Sequence, residues 1–325
     1  MSKTPKAVLI SDVHYNINTL ALADASMRMA IATANELKVP LIVAGDLHDT
    51  KANLRGECVN AMIETFKLCD EAPFVLVGNH DKLSESSMDH SLSFLGPYAQ
   101  LIQIPVDFHG FSFIPYQHRA EDAVTAIEQA QEEVIVMHQG LKQAASGDYI
   151  QDHSAISEAD IQGRRIISGH YHTRQDIGTF SYIGNPYSLT FGEANDPEKG
   201  FQILNDDTSL TFVPTNLRRH RAYNLDAADL IRNIAIVLDH TPIDLVWVKI
   251  KGTREELAKL NRAMIVAKLN LPSKSRIDFS PVKTETDPVQ TKNLNKYEAF
   301  EALVNGAQLS PEAKTRINPK WKALV

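Results

Sequence analysis

Seven residues of this chain, Asp12, His14, Asp46, Asn79, His138, His170 and His172, are of types that hold divalent cations, and they fall in ordered motifs. The motifs run Asp12-Val13-His14, Gly45-Asp46-Leu47-His48-Asp49, Gly78-Asn79-His80-Asp81, then His138, then Gly169-His170-Tyr171-His172. Singly they are weak, since a lone histidine after a strand is more often hydrogen-bonded than a ligand. Together they supply carboxylate, carboxamide and imidazole donors with no thiolate. That set suits manganese, iron or zinc in mixed nitrogen and oxygen coordination and argues against a sulfur-bound structural zinc. One carboxylate shared by two cations would hold them roughly 3.5–4 Å apart, the spacing used for in-line displacement at phosphorus. His80, one residue past Asn79, could protonate a departing alkoxide or stabilise charge on the phosphorus oxygens. Asp49 is a second candidate for direct catalysis, with a supporting carboxylate or a helix cap as the competing role. The competing account of the whole set, ordinary buried polar groups, does not explain why the motifs recur in order at strand ends.

Such residues need rigid elements behind them. Each motif follows a short β-branched or apolar run, at residues 7–11, 40–44, 73–77, 134–137 and 165–167, with another run at 180–183. Continuous apolar runs of this length indicate strands buried on both faces of a sheet. Helical patterns lie between several of them, at 20–37, 53–69 and 120–132. Alternating strands and helices imply a layered α/β domain, in which ligand-binding groups collect beyond the carboxyl ends of the strands. Glycines beside the motifs allow sharp turns and close approach.

At 325 residues the chain exceeds one typical domain. No apolar run is long enough to span a bilayer, the N-terminus lacks the apolar core of a signal peptide, and a cytoplasmic protein is expected. Cys58 and Cys69 share one helical stretch and read as incidental thiols, neither a disulfide framework nor a zinc site. The net charge of −7 divides unevenly: residues 1–213 carry −14 and residues 214–325 carry +7. An acidic front half would concentrate cations, and a basic back half could face phosphates or an acidic partner. The run Arg218-Arg219-His220-Arg221 could contact phosphate, although a solvated face is the favoured reading. His48 reads as a supporting or surface residue. His109, His118, His153, His220 and His240 lack motif context and read as structural or exposed.

The constellation resembles the calcineurin-like metallophosphoesterases across roughly residues 5–200. The resemblance implies that Asp12, His14, Asp46 and His172 hold one metal, that Asp46, Asn79, His138 and His170 hold the other, and that His80 is the catalytic histidine. Downstream, Tyr182-Ile183-Gly184-Asn185-Pro186-Tyr187-Ser188, Phe191-Gly192-Glu193 and Lys199-Gly200-Phe201 look like the segment that marks the Mre11/SbcD nuclease subunits. Two departures stand out. Asn185 replaces a usual Ser, and Asp49 stands where eukaryotic and archaeal members carry His and bacterial members often carry Asp.

Past residue 214 a strand is expected at 245–250, followed by a helix opened by a capping box at Thr253–Glu256, with Leu257, Leu260 and Met264 on its apolar face. The tail shows Tyr297, Phe300 and Val304 at helical spacing and a second start at Ser310-Pro311. The fold class that follows is α/β: a four-layer α-β-β-α metallophosphoesterase sandwich, a small α+β capping domain and a short helical C-terminal tail. The expected divisions are 1–215 for the nuclease domain, 216–290 for a capping, DNA-binding domain and 291–325 for a partner-binding tail. By resemblance, the cofactors are two divalent ions, with Mn(2+) favoured. The partners are DNA and a Rad50/SbcC-like ATPase, with the chain a homodimer inside a heterotetramer in the bacterial cytoplasm, as in compact phage-encoded versions. The competing readings are a phosphatase or phosphodiesterase for a small molecule or protein, and an inactive scaffold of the same fold. The stretches GDLHDTK and GNHD differ from the GDxVDRG and GNHE of Ser/Thr phosphatases, and no ligand is missing.

Overall fold

In the computed structural model, residues 3–49, 53–84, 86–144, 152–232 and 234–282 are described, so the tail and its expected helices lie outside the described residues. Strand β1 (Pro5–Ile10) leads to helix α1 (Leu20–Leu37), β2 (Leu41–Val43), α2 (Gly56–Phe66), β3 (Phe74–Leu76) and β4 (Gln100–Ile102). A second group comprises β5 (Val106–Phe108), β6 (Phe111–Ile114), α3 (Ala120–Gln129), β7 (Val134–His138), β8 (Arg165–Gly169), β9 (Gln175–Ile177) and β10 (Phe180–Tyr182). The chain then returns to the first group with β11 (Gly200–Asn205) and β12 (Leu210–Pro214).

Two six-stranded sheets result, ordered β12-β11-β1-β2-β3-β4 and β5-β6-β7-β8-β10-β9. The central strands β1 to β4 run parallel, as do β6, β7, β8 and β10, and antiparallel strands occupy the margins. Strand alternation sets the layers. Val8, Ile10 and Val43 face outward onto Met27, Ile31, Met62 and Phe66 of α1 and α2, while Ala7, Leu9 and Ile42 face inward onto Phe113, Val134 and Val136 of the second sheet. On the far side, Ile135, Met137 and Ile166 meet Ala123 and Ile127 of α3. The expected α-β-β-α sandwich is therefore present, built from strands that are apolar on both faces.

Helix α1 buries Ala23, Met27, Ala30, Ile31 and Ala34 at helical spacing. It stops at Lys38, which turns left-handed and returns its N–H to the Ala34 and Asn35 carbonyls just before Pro40. This termination delivers the chain directly into β2, whose end carries Asp46. Cys58 and Cys69 are free thiols.

Beyond residue 215 lie β13 (His220–Asp226), α4 (Ala227–Ile231), β14 (Leu245–Gly252), α5 (Arg254–Ala258), α6 (Arg262–Leu269) and β15 (Arg276–Pro281). The three strands pair in parallel, and Val246, Val248 and Ile250 pack beneath Ala227, Leu230, Ile265 and Leu269. The capping box forms as expected, with Thr253 and Glu256 bonding reciprocally. The single expected helix does not: it breaks at Asn261, whose side chain accepts from the Met264 N–H and starts α6. Met264 consequently points away from the core at 39% exposure, and Ile265 takes the buried position.

This three-stranded sheet meets the sandwich at His220. Its Nδ1 lies 2.9 Å from the Ser188 hydroxyl, and its ring abuts Phe191 at 4.6 Å. Burial first, and then the nearby Arg218 cation, pull the imidazole down from 6.5 to about 4. Between these two values the unfolded chain binds a proton that the folded chain refuses, so stability must fall as pH drops through that window. His220→Gln is expected to flatten this loss between pH 6.5 and 4 in thermal melts. An unchanged slope would show that folding does not lower the pKa of this imidazole.

Candidate metal centre and active site

Four of the seven ligand candidates have left-handed backbones: Asp12 (φ 53°), His14 (φ 48°), Asp46 (φ 50°) and His170 (φ 85°). Side-chain-bearing residues in such regions cost about 1–3 kcal/mol each and persist only where surrounding structure enforces them. Here the enforcement is visible. The segments after β1 and β2 run side by side, with the Asp12, His14 and Tyr15 N–H groups donating to the carbonyls of Gly45, Asp46 and Leu47. These bonds fix the two loops that carry Asp12, His14 and Asp46 against each other.

Close approach explains two glycines. A Cβ on Gly45 would overlap the His138 ring, and one on Gly78 would overlap both the carboxylate and the backbone nitrogen of Asp46. Space for the side chains comes from backbone that has none.

The Asp46 carboxylate is buried at the centre. One oxygen accepts the His80 N–H at 2.8 Å, and the other faces His138 Nε2 at 3.3 Å and His14 Nε2 at 3.9 Å. Burial would raise its pKa. The positive potential of His138, His80 and His14 more than reverses this and holds it well below the ordinary range. Next to it, Asn79 Oδ1 lies 3.1 Å from His138 Nε2 and 2.9 Å from His170 Nδ1. His14 Nε2 and His172 Nε2 approach to 3.2 Å, and Asp12 completes their group while accepting the His170 N–H at 3.1 Å.

The outer ring nitrogens decide what the inner ones present. His138 Nδ1 lies 2.7 Å from the Ala44 carbonyl, which can only accept, so Nδ1 keeps a proton, and Nε2 offers its lone pair inward once a cation displaces the second proton that Asp46 otherwise holds on the ring. By the same argument Asp152, 3.0 Å from His170 Nε2, leaves Nδ1 facing inward. Glu193, 3.3 Å from His172 Nδ1, leaves Nε2 facing inward. Nitrogen, carboxamide and carboxylate groups therefore converge, and cations can take the place of the ring protons between them. Two groups, Asp12-His14-His172 and Asp46-His138-His170, each hold ligand atoms within 4.8 Å of one another. The residues fit a pair of divalent ions.

His80 and Asp49 stand beside this cluster. His80 Nδ1 lies 2.7 Å from the Asp49 backbone carbonyl, so Nδ1 donates and Nε2 is left to exchange a proton. The Asp49 carboxylate is turned elsewhere, toward Asn16 Nδ2 at 2.6 Å and His14 Nδ1 at 3.3 Å. These contacts, with the His14 bond first and burial opposing, hold its pKa below the usual carboxylate range. His14, Asp49 and His80 form a third close group.

Three acidic residues at the site escaped the motif reading of ligands. Asp81, adjacent to His80 in sequence, turns inward and accepts the N–H groups of Gly78 (2.8 Å) and His48 (2.9 Å), locking both motif loops. Burial first, and then the Asp46 charge, push its carboxyl up. Asp152 carries no motif, and only the fold brings it to His170. Glu193 was visible only within the downstream segment, where nothing indicated contact with His172. Asn185 acquires a reason as well, because its carboxamide donates to Glu193 at 3.0 Å. The basic run is spent internally: Arg218 reaches the Ser188 carbonyl, Arg219 the Asp196 and Pro197 carbonyls, and Arg221 lies near Asp239 and Asp244.

Residues 5–244 match the calcineurin-like phosphoesterase family. The chain is also similar to "Exonuclease subunit 1" of Enterobacteria phage T4, with 25% identity over 270 residues, covering 77% of this chain and 76% of that protein. Among the described residues, no helix is long and apolar enough to cross a membrane.

His80→Ala should lower turnover by about 10²–10⁴, the usual worth of a positioned acid or base. Elemental analysis should find its bound metal unchanged, because its Nδ1 is occupied by a carbonyl and the seven other donors stay in place. Loss of one metal equivalent would make it a ligand instead.

Proposed function

The chain belongs to the calcineurin-like phosphoesterase family, and on that premise we propose that it is the two-metal nuclease subunit of a DNA exonuclease or endonuclease serving repair, replication or recombination. The observation that carries the reading is the convergence of seven inward-facing donors beside a histidine that is held but not consumed. Similarity to a phage exonuclease subunit supports DNA as the substrate and a second subunit as partner.

In this reading Asp12, His14, Asp46 and His172 would hold one divalent ion, and Asp46, Asn79, His138 and His170 the other; the donors suit manganese, iron or zinc, and the resemblance to the Mre11/SbcD nuclease subunits favours manganese. The ions, when bound, supply Lewis acidity toward phosphate oxygens and a water of lowered pKa. The chain's own residues do the rest. Asp46 faces His14 on one side and His138 on the other and would be shared between the two ions. His80 presents Nε2 to the departing oxygen, leaving 3′-hydroxyl and 5′-phosphate ends. Asp49 stands 3.3 Å from His14 Nδ1 through its carboxylate and against His80 Nδ1 through its backbone carbonyl, contacts that support a positioning role beside the direct catalytic one. Residues 1–215 serve as the catalytic unit, 216–290 as a cap over the substrate, and 291–325 dock a Rad50/SbcC-like ATPase in the cytoplasm of a bacterial host.

Purified protein should release nucleotides from linear DNA, lose this with chelator and regain it best with manganese. It should hydrolyse bis-p-nitrophenyl phosphate in preference to p-nitrophenyl phosphate, since a diester substrate is expected. Asp46→Asn should be the most damaging ligand substitution because it weakens both positions at once. Full activity in excess chelator, or activity confined to the monoester, would end the proposal.

A further inference from the structure

The two metal positions differ in what stands behind them. The His138 and His170 side is embedded between the large sheets: His138 is buried and donates to the Ala44 carbonyl, and His170 is backed by Asp152. The His172 side rests on the loop between β10 and β11. Glu193 there makes one contact with His172 and several with its own surroundings. Its oxygens accept from Asn185 Nδ2 at 3.0 Å and the Leu189 N–H at 3.2 Å, and they lie 3.1 Å from Lys199 Nζ. Lys199 in turn donates to the His172 carbonyl at 3.0 Å and to Asp196 at 2.6 Å, gripping the ligand from its backbone as well. Burial works against the Glu193 charge, yet His172 and Lys199 hold its pKa down at about 2.

The other end of the same turn touches the three-stranded sheet. Phe191, two residues before Glu193, meets the rings of His220 at 4.6 Å and Trp247 at 5.5 Å, on β13 and β14. Ser188 bonds His220, and Arg219 bonds the Asp196 and Pro197 carbonyls. A short 3₁₀ turn, Phe191–Glu193, therefore has one side chain against the sheet and another against a ligand candidate. The two contacts thus sit on one three-residue segment of backbone.

We infer that Glu193 is the positioning residue for His172, and that through Phe191 this one metal position, unlike its neighbour, responds to the placement of the β13–β15 sheet. The inference rests on the reading of His172 as a metal ligand and goes beyond it by naming what controls that ligand. A carboxylate behind a metal-bound imidazole fixes its ring and raises its basicity, and its loss costs about 10–100-fold in metal affinity. Asp152 holds the equivalent place behind His170, on the opposite side of the centre, and has no such link to the third sheet among the contacts of the described residues.

The test is a manganese titration of stripped full-length protein, with free ion followed by its electron paramagnetic resonance signal and folding checked by thermal melting in chelator. His172→Ala and His138→Ala identify which binding step belongs to which position. Glu193→Gln should weaken the His172 step by about 10–100-fold and leave the other within about threefold, and Asp152→Asn should do the reverse. Phe191→Ala should weaken the same step as Glu193→Gln, and the two together should be markedly less than additive, as for residues acting through one contact. Phe191→Leu, which keeps apolar contact, should restore most of the affinity. Should Phe191→Ala not fold, Trp247→Leu removes the partner ring and carries the same expectation. Equal weakening of both steps by Glu193→Gln, or none, overturns the positioning role. A folded Phe191 variant with wild-type binding overturns the link to the sheet. Wild-type protein that takes up no manganese sinks the metal-centre reading itself, an outcome distinct from either.

Discussion

A carboxylate buried at the junction of two sheets is the constraint from which the rest of this structure follows. Asp46 sits where water cannot solvate it, and a buried charge of this kind persists only if paired and hydrogen-bonded. The His80 N–H satisfies one oxygen, and three imidazoles set the potential around the other. That arrangement requires β2 to end in a left-handed residue, Gly45 and Gly78 to lack side chains, and β7 to end on a histidine beside the same point. The sandwich of apolar strands makes these demands affordable, because its core is large enough to offset several strained residues at one edge.

A second layer converts that edge into an oriented site. Every inner imidazole is specified by what its outer nitrogen meets: a carbonyl for His138, and carboxylates for His14, His170 and His172. The layer comes from loops and neighbouring strands far apart in sequence, so it ties the site to the whole domain. It also divides the labour among acids of similar type. Asp46 faces inward, Asp49 and Asp152 face outward onto rings, and Asp81 serves the backbone, each according to where its loop turns it.

The legibility of these features followed their range. The ligands could be read directly because each lies within a few residues of the strand that carries it, and strands buried on both faces announce themselves as apolar runs. The capping box at Thr253 was equally local and formed as expected. Its continuation was not, since the break at Asn261 depends on whether a helix can hold Leu260 and Ile265 in one core, which periodicity alone does not decide. Short strands such as β4 and β5 carry too few residues for a pattern. Asp152 and Glu193 were invisible as partners because their contacts are purely tertiary, spanning 18 and 21 residues to His170 and His172. The arginine run shows the opposite error. Its charge suggested a surface, whereas the fold uses it to stitch β13 to the sandwich.

Formal charge explains why an acidic front half suits this centre and why a single cation would not suffice. Asp12, Asp46, Asp49, Asp152 and Glu193 surround the imidazoles, and Lys199 is the one fixed cation that contacts this group in the described ion pairs. Counted at full charge together with Asp196, which shares Lys199 at 2.6 Å, these seven groups leave a surplus of five negative charges, of which two divalent ions would cancel four and one only two. A phosphodiester, itself anionic, would still be repelled by a half-filled centre, because charges this buried are poorly screened by salt. Ions bound here are the largest local charges and set the sign of the field that the substrate meets. Most of that charge is offset only with both positions filled, which favours substrate entry as well as chemistry. The acids whose charge would repel an anionic substrate are the same ones that hold the rings in place for the ions.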